Sequence, residues 1–194
     1  MSITPSQLTK SAYKDDIEYF MTNHDLGAII KNVRIVKFSD LDQFGSIYQL
    51  LPKKIDFVVI LTETEDVNQG HWQLLLKRHN TFEFFDSYGD EPKTIIEFVS
   101  KKMNQFLGND YQKDMGHILK SIRKQDQLTV NNFEFQSDIP HVNTCGRWVA
   151  IRVMMFLAHE MNNKQFVAWF KQQKKKLPRL KHDELVCELI KFNI

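Results

Sequence analysis

Cys145 lies where the character of the sequence changes most sharply. The extended, polar stretch 136–143 precedes it, and the most apolar segment of the chain follows it. This change predicts that Cys145 opens a helix, with Asn143 or Thr144 as the N-cap. Unpaired N–H groups and the helix dipole stabilise an anion there, which favours a nucleophilic thiolate, and Gly146 leaves the backbone beside the sulfur open. From position alone, a small buried residue at the start of a core helix is an equally good interpretation.

Two predicted neighbouring strands could supply a base and its partner. His71 begins one strand after a glycine turn, and Asp86 ends the next strand. A two-residue hairpin tip at Arg78 and His79 places His71 directly opposite Asp86 on one side of the sheet, whereas a tip that includes Asn80 removes this pairing. Cysteine, histidine and aspartate then form the thiol version of the nucleophile, base and orienting carboxylate of a catalytic triad.

A thiolate that attacks a carbonyl also needs a hydrogen-bond donor for the oxyanion that forms. The carboxamide of Gln136 and the backbone N–H of Cys145 are the candidates. Asn143 is an alternative donor because its carboxamide is also nearby. Glu83, in mid-strand, is the alternative to Asp86 as the orienting carboxylate.

Four short elements of the sequence occur in the order typical of a known family. They are His71-Trp72, Asp86, Gln136 and Cys145-Gly146. Together they resemble the adenain and SUMO-protease superfamily of cysteine proteases. Papain has the reverse order, with the cysteine first, and its C-G-S-C-W signature is absent here. The resemblance covers residues 55–161 and implies an adenain-like cysteine protease fold.

The resemblance assigns a role to each of these residues. The implied roles are general base for His71, its partner for Asp86, oxyanion donor for Gln136 and nucleophile for Cys145. It also implies that Trp72 and Gly146 bind substrate, with the tryptophan flanking a narrow channel for substrate glycines. Gln136 departs from the family pattern because it lies nine residues before the cysteine, where about six or seven is usual.

Compact stand-alone relatives of this length resemble the maturation proteases of adenovirus, virophages and maverick-type elements. We therefore expect a cysteine endopeptidase that cleaves capsid precursor proteins at glycine-containing sites, inside the host cell and in the virion. Removal of a ubiquitin-like modifier from conjugates and acyl transfer by the same fold are the alternatives. We expect no required cofactor, although the family suggests an activating peptide or DNA.

Other residues admit a metal site or a nucleic-acid contact. The residues of zinc-binding type are His71, His79, Asp86, His141 and Cys145. No C-x2-C, H-x3-H or HExxH spacing is present, so we expect no metal. We expect His79 at an exposed hairpin tip, His141 in the loop before the nucleophile, and Cys187 in packing.

A local positive stretch near the end of the chain has two interpretations. Its members are Lys171, Lys174, Lys175, Lys176, Arg179 and Lys181. Such a stretch is typical of a solvated helix end, where the dipole favours cations. Weak contact with nucleic-acid phosphates is the second possibility, and it predicts a salt-dependent affinity.

Composition indicates one folded domain over residues 1–194. The chain has a net charge of +2 and 42% hydrophobic residues, enough for a sizeable core. The longest apolar run, residues 148–158, contains Arg152 and is too short to cross a bilayer, so we expect no membrane contact. The N-terminus lacks the pattern of a signal peptide, so we expect no secretion.

The pattern of elements predicts an α+β fold, in which a small, mainly antiparallel sheet packs on the buried helix that bears the cysteine, with further helices around it. The predicted strands are 34–38, 55–61, 71–77, 81–86 and 128–135. The predicted helices are one or two within 5–23, one from Ser39 to about 51, one over 92–107, the central helix 144–161, one capped by Asn162 and Gln165 that runs to about 175, and one capped by Asp183.

Overall fold

A computed structural model describes residues 12–66, 69–92 and 111–191 of the chain. The predicted helix over 92–107 lies almost entirely outside these residues, as does the start of the predicted helical region 5–23. The described part has the predicted α+β composition: a five-stranded sheet carries helices on both of its faces.

The sheet contains the strands in chain order, β1-β2-β3-β4-β5. The strands are β1 Ile35–Lys37, β2 Phe57–Asp66, β3 Gln69–Arg78, β4 Thr81–Asp86 and β5 Gln127–Val130. Strands β2, β3 and β4 pair antiparallel, whereas β1 pairs parallel with β2 and β5 pairs parallel with β4. The sheet is therefore mixed rather than mainly antiparallel. The long connections before β2 and before β5 give the chain enough length for parallel crossovers.

Seven α-helices and one 3-10 helix lie in the described residues. They are α1 Lys14–Glu18, α2 Asn23–Ile29, the 3-10 helix Phe38–Gln43, α3 Ile47–Leu50, α4 Tyr111–Lys120, α5 Cys145–His159, α6 Asn163–Lys176 and α7 His182–Leu189. Helix α5 begins at Cys145, as predicted, and ends before Glu160, which takes a left-handed conformation at φ 50°.

Each face of the sheet has its own apolar core. On one face, Trp72 and Leu74 of β3 pack with Trp148 and Val149 of α5. On the other face, Leu75 belongs to a core that the 3-10 helix, α3 and α4 complete. Successive residues of β3 thus point to opposite sides, and burial on both faces explains its nearly continuous apolar run.

Several predicted helix starts are corrected. Ser39 does not cap a helix to residue 51; its hydroxyl bonds Glu63, and the segment divides into the 3-10 helix and α3. Asp183 does not cap the last helix, which starts at His182; its carboxylate is buried and accepts a hydrogen bond from Thr144 instead. The predicted capping box of Asn162 and Gln165 is present at the start of α6.

The strand bounds differ most in β2 and β5, and β3 begins at Gln69, so that His71 is its third residue and not its first. Strand β2 continues five residues past the predicted end at 61, because its acidic end still pairs with β3. Strand β5 covers only the first part of the predicted 128–135. Beyond it, the side chain of Asn131 bonds the backbone of Asp86, which takes the chain out of regular pairing.

The hairpin tip consists of His79 and Asn80, not of Arg78 and His79. Arg78 pairs with Thr81, and His79 is exposed with a left-handed φ of 50°. The direct pairing of His71 with Asp86 is therefore wrong, since Asp86 faces Gln73. The shift moves the pairing by two residues, so every side chain keeps its predicted side of the sheet.

Candidate active site

His71 reaches Asp86 diagonally across the β3–β4 ladder. Its Nε2 atom lies 2.8 Å from Oδ2 of the carboxylate. Both side chains are nearly inaccessible to solvent, with 9% of His71 and 2% of Asp86 exposed. A close pair of this kind in a dry environment fixes the orientation of the imidazole ring.

The carboxylate of Asp86 is held at both of its oxygens. Gln73 Nε2 donates to Oδ2 at 2.7 Å, and the backbone N–H of Tyr88 donates to Oδ1 at 2.8 Å. Burial raises the pKa of Asp86, but the charge of His71 and these hydrogen bonds outweigh it and hold the pKa below its usual range. Asp86 is therefore ionised at neutral pH.

His71 also hydrogen-bonds the side chain of Cys145. Since Nε2 is engaged by Asp86, Nδ1 is the ring nitrogen left for the sulfur. Burial lowers the pKa of His71, but the charge and hydrogen bond of Asp86, together with those of Cys145, outweigh it and raise this pKa to about 10. The structure thus brings the three predicted side chains together, with the imidazole protonated between two acidic partners.

Cys145 is the first residue of α5 and is 7% exposed. The N–H groups of a first turn have no partner within the helix. The N-cap residue Thr144 makes no side-chain capping bond, because its hydroxyl donates to Asp183. The backbone amide of Cys145 is therefore a candidate donor to a negative charge near the sulfur.

The two predicted oxyanion donors differ in their surroundings. Gln136 is buried beside the triad, and its Nε2 group donates to the hydroxyl of Tyr88 and to the carbonyl of Val142. Asn143 Nδ2 instead donates to the carbonyl of Glu18 in the N-terminal segment. Gln136 therefore has the more suitable position, but one of its two hydrogen bonds must be released before it can bind an oxyanion.

Glu83, the alternative to Asp86, takes part in a different interaction. Its Oε2 atom accepts a hydrogen bond from Arg152 at 3.2 Å and one from the backbone of Asn163 at 2.8 Å. This buried ion pair ties β4 to α5 and to the start of α6. The carboxylate that bonds the imidazole of His71 is that of Asp86.

Trp72 and Gly146 lie against each other, and Met21 of the N-terminal segment packs against both of them. Trp72 Nε1 donates to the carbonyl of Met21 at 2.9 Å, and the indole is 3% exposed. A Cβ atom on Gly146 would lie 2.8 Å from Cβ of Met21 and 3.2 Å from Trp72. Gly146 is thus required for this packing, and its role in binding substrate, like that of Trp72, stays a prediction.

Two residues of the site, Tyr88 and Gln73, were not predicted from the sequence. The ring of Tyr88 stacks on the imidazole of His71 at a centroid distance of 4.8 Å. Burial raises the pKa of Tyr88, which keeps its hydroxyl neutral. Strand alternation could have found Gln73, because it is the one polar residue between Trp72 and Leu76 and shares a face with His71.

The remaining candidates lie outside this cluster. Within the described ranges, no group of three or more His, Cys, Asp or Glu side chains is arranged so that it could hold a metal ion, and no helix has the length and apolar character of a membrane span. His79 is exposed at the far end of β3, His141 is an exposed loop residue with a φ of 68°, and Cys187 is buried in packing. The positive stretch spans the end of α6 and the turn that follows, where Lys174 donates to the carbonyl of Pro178.

Comparison with known proteins gives limited information. The sequence matches no model of a known protein family. It is similar to a protein described as uncharacterized protein V9 of Sputnik virophage, at 29% identity over 137 residues. The similar region covers 70% of this chain and 75% of the virophage protein.

Proposed function

We propose that this protein is a cysteine endopeptidase of the adenain type. The observation that carries the proposal is the buried His71, hydrogen-bonded to Asp86 on one side and to Cys145, at the start of a buried helix, on the other. Nucleophile, base and orienting carboxylate in this arrangement match the requirements of acyl transfer through a thiol. The four sequence elements that resemble the superfamily support the same assignment.

In the proposed reaction, Cys145 has already given its proton to His71, and its thiolate attacks the carbonyl carbon of the scissile peptide bond. A carbon–sulfur bond forms, and the backbone N–H of Cys145 and the carboxamide of Gln136 stabilise the oxyanion. The intermediate collapses as the C–N bond breaks and His71 gives its proton to the leaving amine. Water, deprotonated by His71, then attacks the thioester, releases the acid and restores the thiol.

The raised pKa of His71 suits the first step of this sequence. An imidazole with a pKa of about 10 stays protonated at neutral pH and stabilises a neighbouring thiolate. Asp86 remains ionised and supplies the compensating charge.

We further propose that the substrates are viral capsid precursors, cleaved at glycine-containing sites inside the host cell and in the virion. The similarity to a virophage protein supports the viral setting. The resemblance to the superfamily, which implies a narrow channel for substrate glycines beside Trp72 and Gly146, supports small residues at the cleavage site. Because Met21 occupies part of this space, a substrate must pass beside Met21 or displace it. An activating peptide, or DNA bound by the positive stretch at the end of α6, remains part of this proposal.

The test is incubation of the protein with a capsid precursor and, separately, with a conjugate of a ubiquitin-like modifier. We expect cleavage of the precursor by the native chain, and a loss of about 10⁴-fold or more in Cys145→Ala. The matched control is Cys187→Ala, which removes a buried thiol outside the site and should retain activity.

The other outcomes decide between the alternatives. Cleavage of the conjugate alone would reject the maturation role and favour removal of modifiers. Acylated products without cleavage would favour a transferase. Undiminished proteolysis by a folded Cys145→Ala variant would contradict the triad itself.

A further inference from the structure

A line of buried polar side chains crosses three neighbouring strands beside the triad. Thr62 of β2 donates from its hydroxyl to Oε1 of Gln73 on β3, at 2.9 Å. Gln73 in turn donates from Nε2 to Oδ2 of Asp86 on β4, at 2.7 Å. Thr62 and Gln73 are fully buried and Asp86 is 1% exposed.

An apolar residue would suit the fold at position 73. Three of its neighbours on the same side of the sheet, Ile60, Leu75 and Phe84, are fully buried and apolar. A primary amide in such surroundings is costly unless all its hydrogen-bonding groups find partners. The amide of Gln73 donates a hydrogen bond to Asp86. This bond indicates a role at the site rather than in the core.

Gln73 and His71 bind the same carboxylate oxygen. Oδ2 of Asp86 accepts from His71 Nε2 at 2.8 Å and from Gln73 Nε2 at 2.7 Å, while Oδ1 accepts from the backbone of Tyr88. Rotation of the carboxylate would break at least one of these bonds. The amide thus fixes the oxygen from which the imidazole takes its orientation.

Asp86 determines which way the amide of Gln73 points, because its ionised carboxylate can only accept hydrogen bonds, and Thr62 holds the amide oxygen on the other side. A reversed amide would place Oε1 against the negative charge of Asp86. The observed direction gives each group a partner of opposite polarity. The line from Thr62 to His71 is therefore directional, and each bond depends on the one before it.

We propose that Gln73 is a positioning residue that acts on His71 through Asp86, with Thr62 holding the oxygen of its amide. This inference rests on the proposed function, since it assigns Gln73 to the same triad. Besides holding the carboxylate, the amide stabilises the ionised form of Asp86. Its loss should make Asp86 easier to protonate and so disrupt the site at a higher pH.

Other titratable groups also surround Asp86, and they remain unchanged in the variants below. His71 on β3, Tyr88 directly after β4 and Cys145 on α5 face the carboxylate or its imidazole partner, and Asp138 and Asp183 add negative charge near Tyr88. A shift measured after substitution of Gln73 or Thr62 therefore reports on the amide.

The test follows the rate at which iodoacetamide alkylates Cys145 between pH 4 and 9, a readout that needs no substrate. In Gln73→Met, which keeps the volume but removes the donor, we expect the acid-side midpoint of the profile to move up by about one pH unit, the size expected for a hydrogen bond to a charged group. Thr62→Val should give a smaller shift in the same direction, and Thr62→Ser, which retains the hydroxyl, should restore the native profile.

Leu75→Met is the matched control, because it changes a buried residue of the same strand and face without touching the polar line. It should leave the midpoint unchanged. An equal shift in Leu75→Met, or a uniform change of rate without a shift in Gln73→Met, would overturn the inference.

The readout also separates this inference from the proposed function. A Gln73-dependent profile in a protein that cleaves no peptide bond would contradict the protease and leave the positioning role intact. Peptide cleavage by the native protein, together with an unchanged profile in Gln73→Met, would contradict the positioning role alone.

Discussion

At His71, two opposing influences set the proton affinity of the imidazole. Burial lowers its pKa, while the charge and hydrogen bond of Asp86 raise it, with a smaller contribution from Cys145. The contributions that raise the pKa outweigh the effect of burial, so the ring is protonated in the native state. The charge of this one ring therefore depends on a single carboxylate 2.8 Å away.

Asp86→Asn should reverse that balance. Without the counter-charge, burial dominates, and the pKa of His71 should fall from about 10 to below its ordinary value of about 6.5. NMR titration of the histidine rings measures this directly, with exposed His79 and His141 as internal references. Asp126→Asn, which changes a carboxylate bonded to Tyr48, is the control and should leave His71 unchanged. A ring of His71 that stays protonated above pH 8 in Asp86→Asn would contradict the account.

The three residues of the proposed triad could be chosen from the sequence, but the bonds that support them could not. Cys145 follows a change from polar to apolar sequence, and His71 and Asp86 lie at the ends of recognisable strands. The stacking of Tyr88 and the competition between Asn143 and Gln136 depend on loop geometry, which no local pattern encodes. The bond from Asn143 to Glu18 joins residues far apart in the chain.

At the scale of elements, the β2–β3 pairing places His71. Next to it, Gly70 lies so close to β2 that an added Cβ would meet the backbone of Thr62 at 1.9 Å. No side chain can be accommodated there without separating the strands. The glycine is therefore a condition for the strand geometry that presents the imidazole.

Gly70→Ala should lower the free energy of unfolding by about 3 kcal/mol, the upper end for overpacking. Gly116→Ala is the matched control, because nothing lies within 4 Å of its added Cβ and α4 gains about 1 kcal/mol of helix propensity from the change. Urea unfolding of the two variants measures both effects. Equal stability of the two variants would show that the strands separate at little cost.

The register of the hairpin shows what sequence reasoning can and cannot decide. The strands on either side of the tip were predicted, but the left-handed conformation of His79 was not, because histidine carries no glycine-like signal. The predicted pairing of β3 with β4 was wrong by two residues. Because two is an even number, each side chain still lies on the predicted side of the sheet. The predicted cap at Asp183 was wrong, because its carboxylate accepts a hydrogen bond from Thr144, which is distant in the sequence.

At the scale of the whole molecule, Arg147 ties both ends of the described chain to α5. The guanidinium is fully buried and donates to the carbonyl of Ile190 and to the backbone and carboxylate of Asp16. Through these bonds, the N-terminal segment that covers Trp72 is held against the helix that carries Cys145. The site and the two ends of the chain should therefore loosen together.

Arg147→Met should lower the free energy of unfolding by about 3 kcal/mol, because it removes several charge-assisted hydrogen bonds and leaves buried carbonyls without donors. It should also allow trypsin to cleave after Lys14 before global unfolding, because α1 loses its attachment to α5 and can unfold locally. Arg179→Met, at an exposed position, is the control and should change neither measurement. A protected Lys14 in a folded Arg147→Met variant would contradict this role.

The most direct measurement of the central claim is the alkylation of Cys145 by iodoacetamide at pH 6, in the native protein and in His71→Asn. Cys187 is the internal reference, because burial raises its pKa to about 12 and keeps it unreactive. If His71 and Cys145 form an ion pair, native Cys145 should react at least about tenfold faster than in His71→Asn, since an ordinary thiol is almost fully protonated at that pH. Equal rates in the two proteins, or a native Cys145 as inert as Cys187, would contradict the assignment of Cys145 as an activated nucleophile.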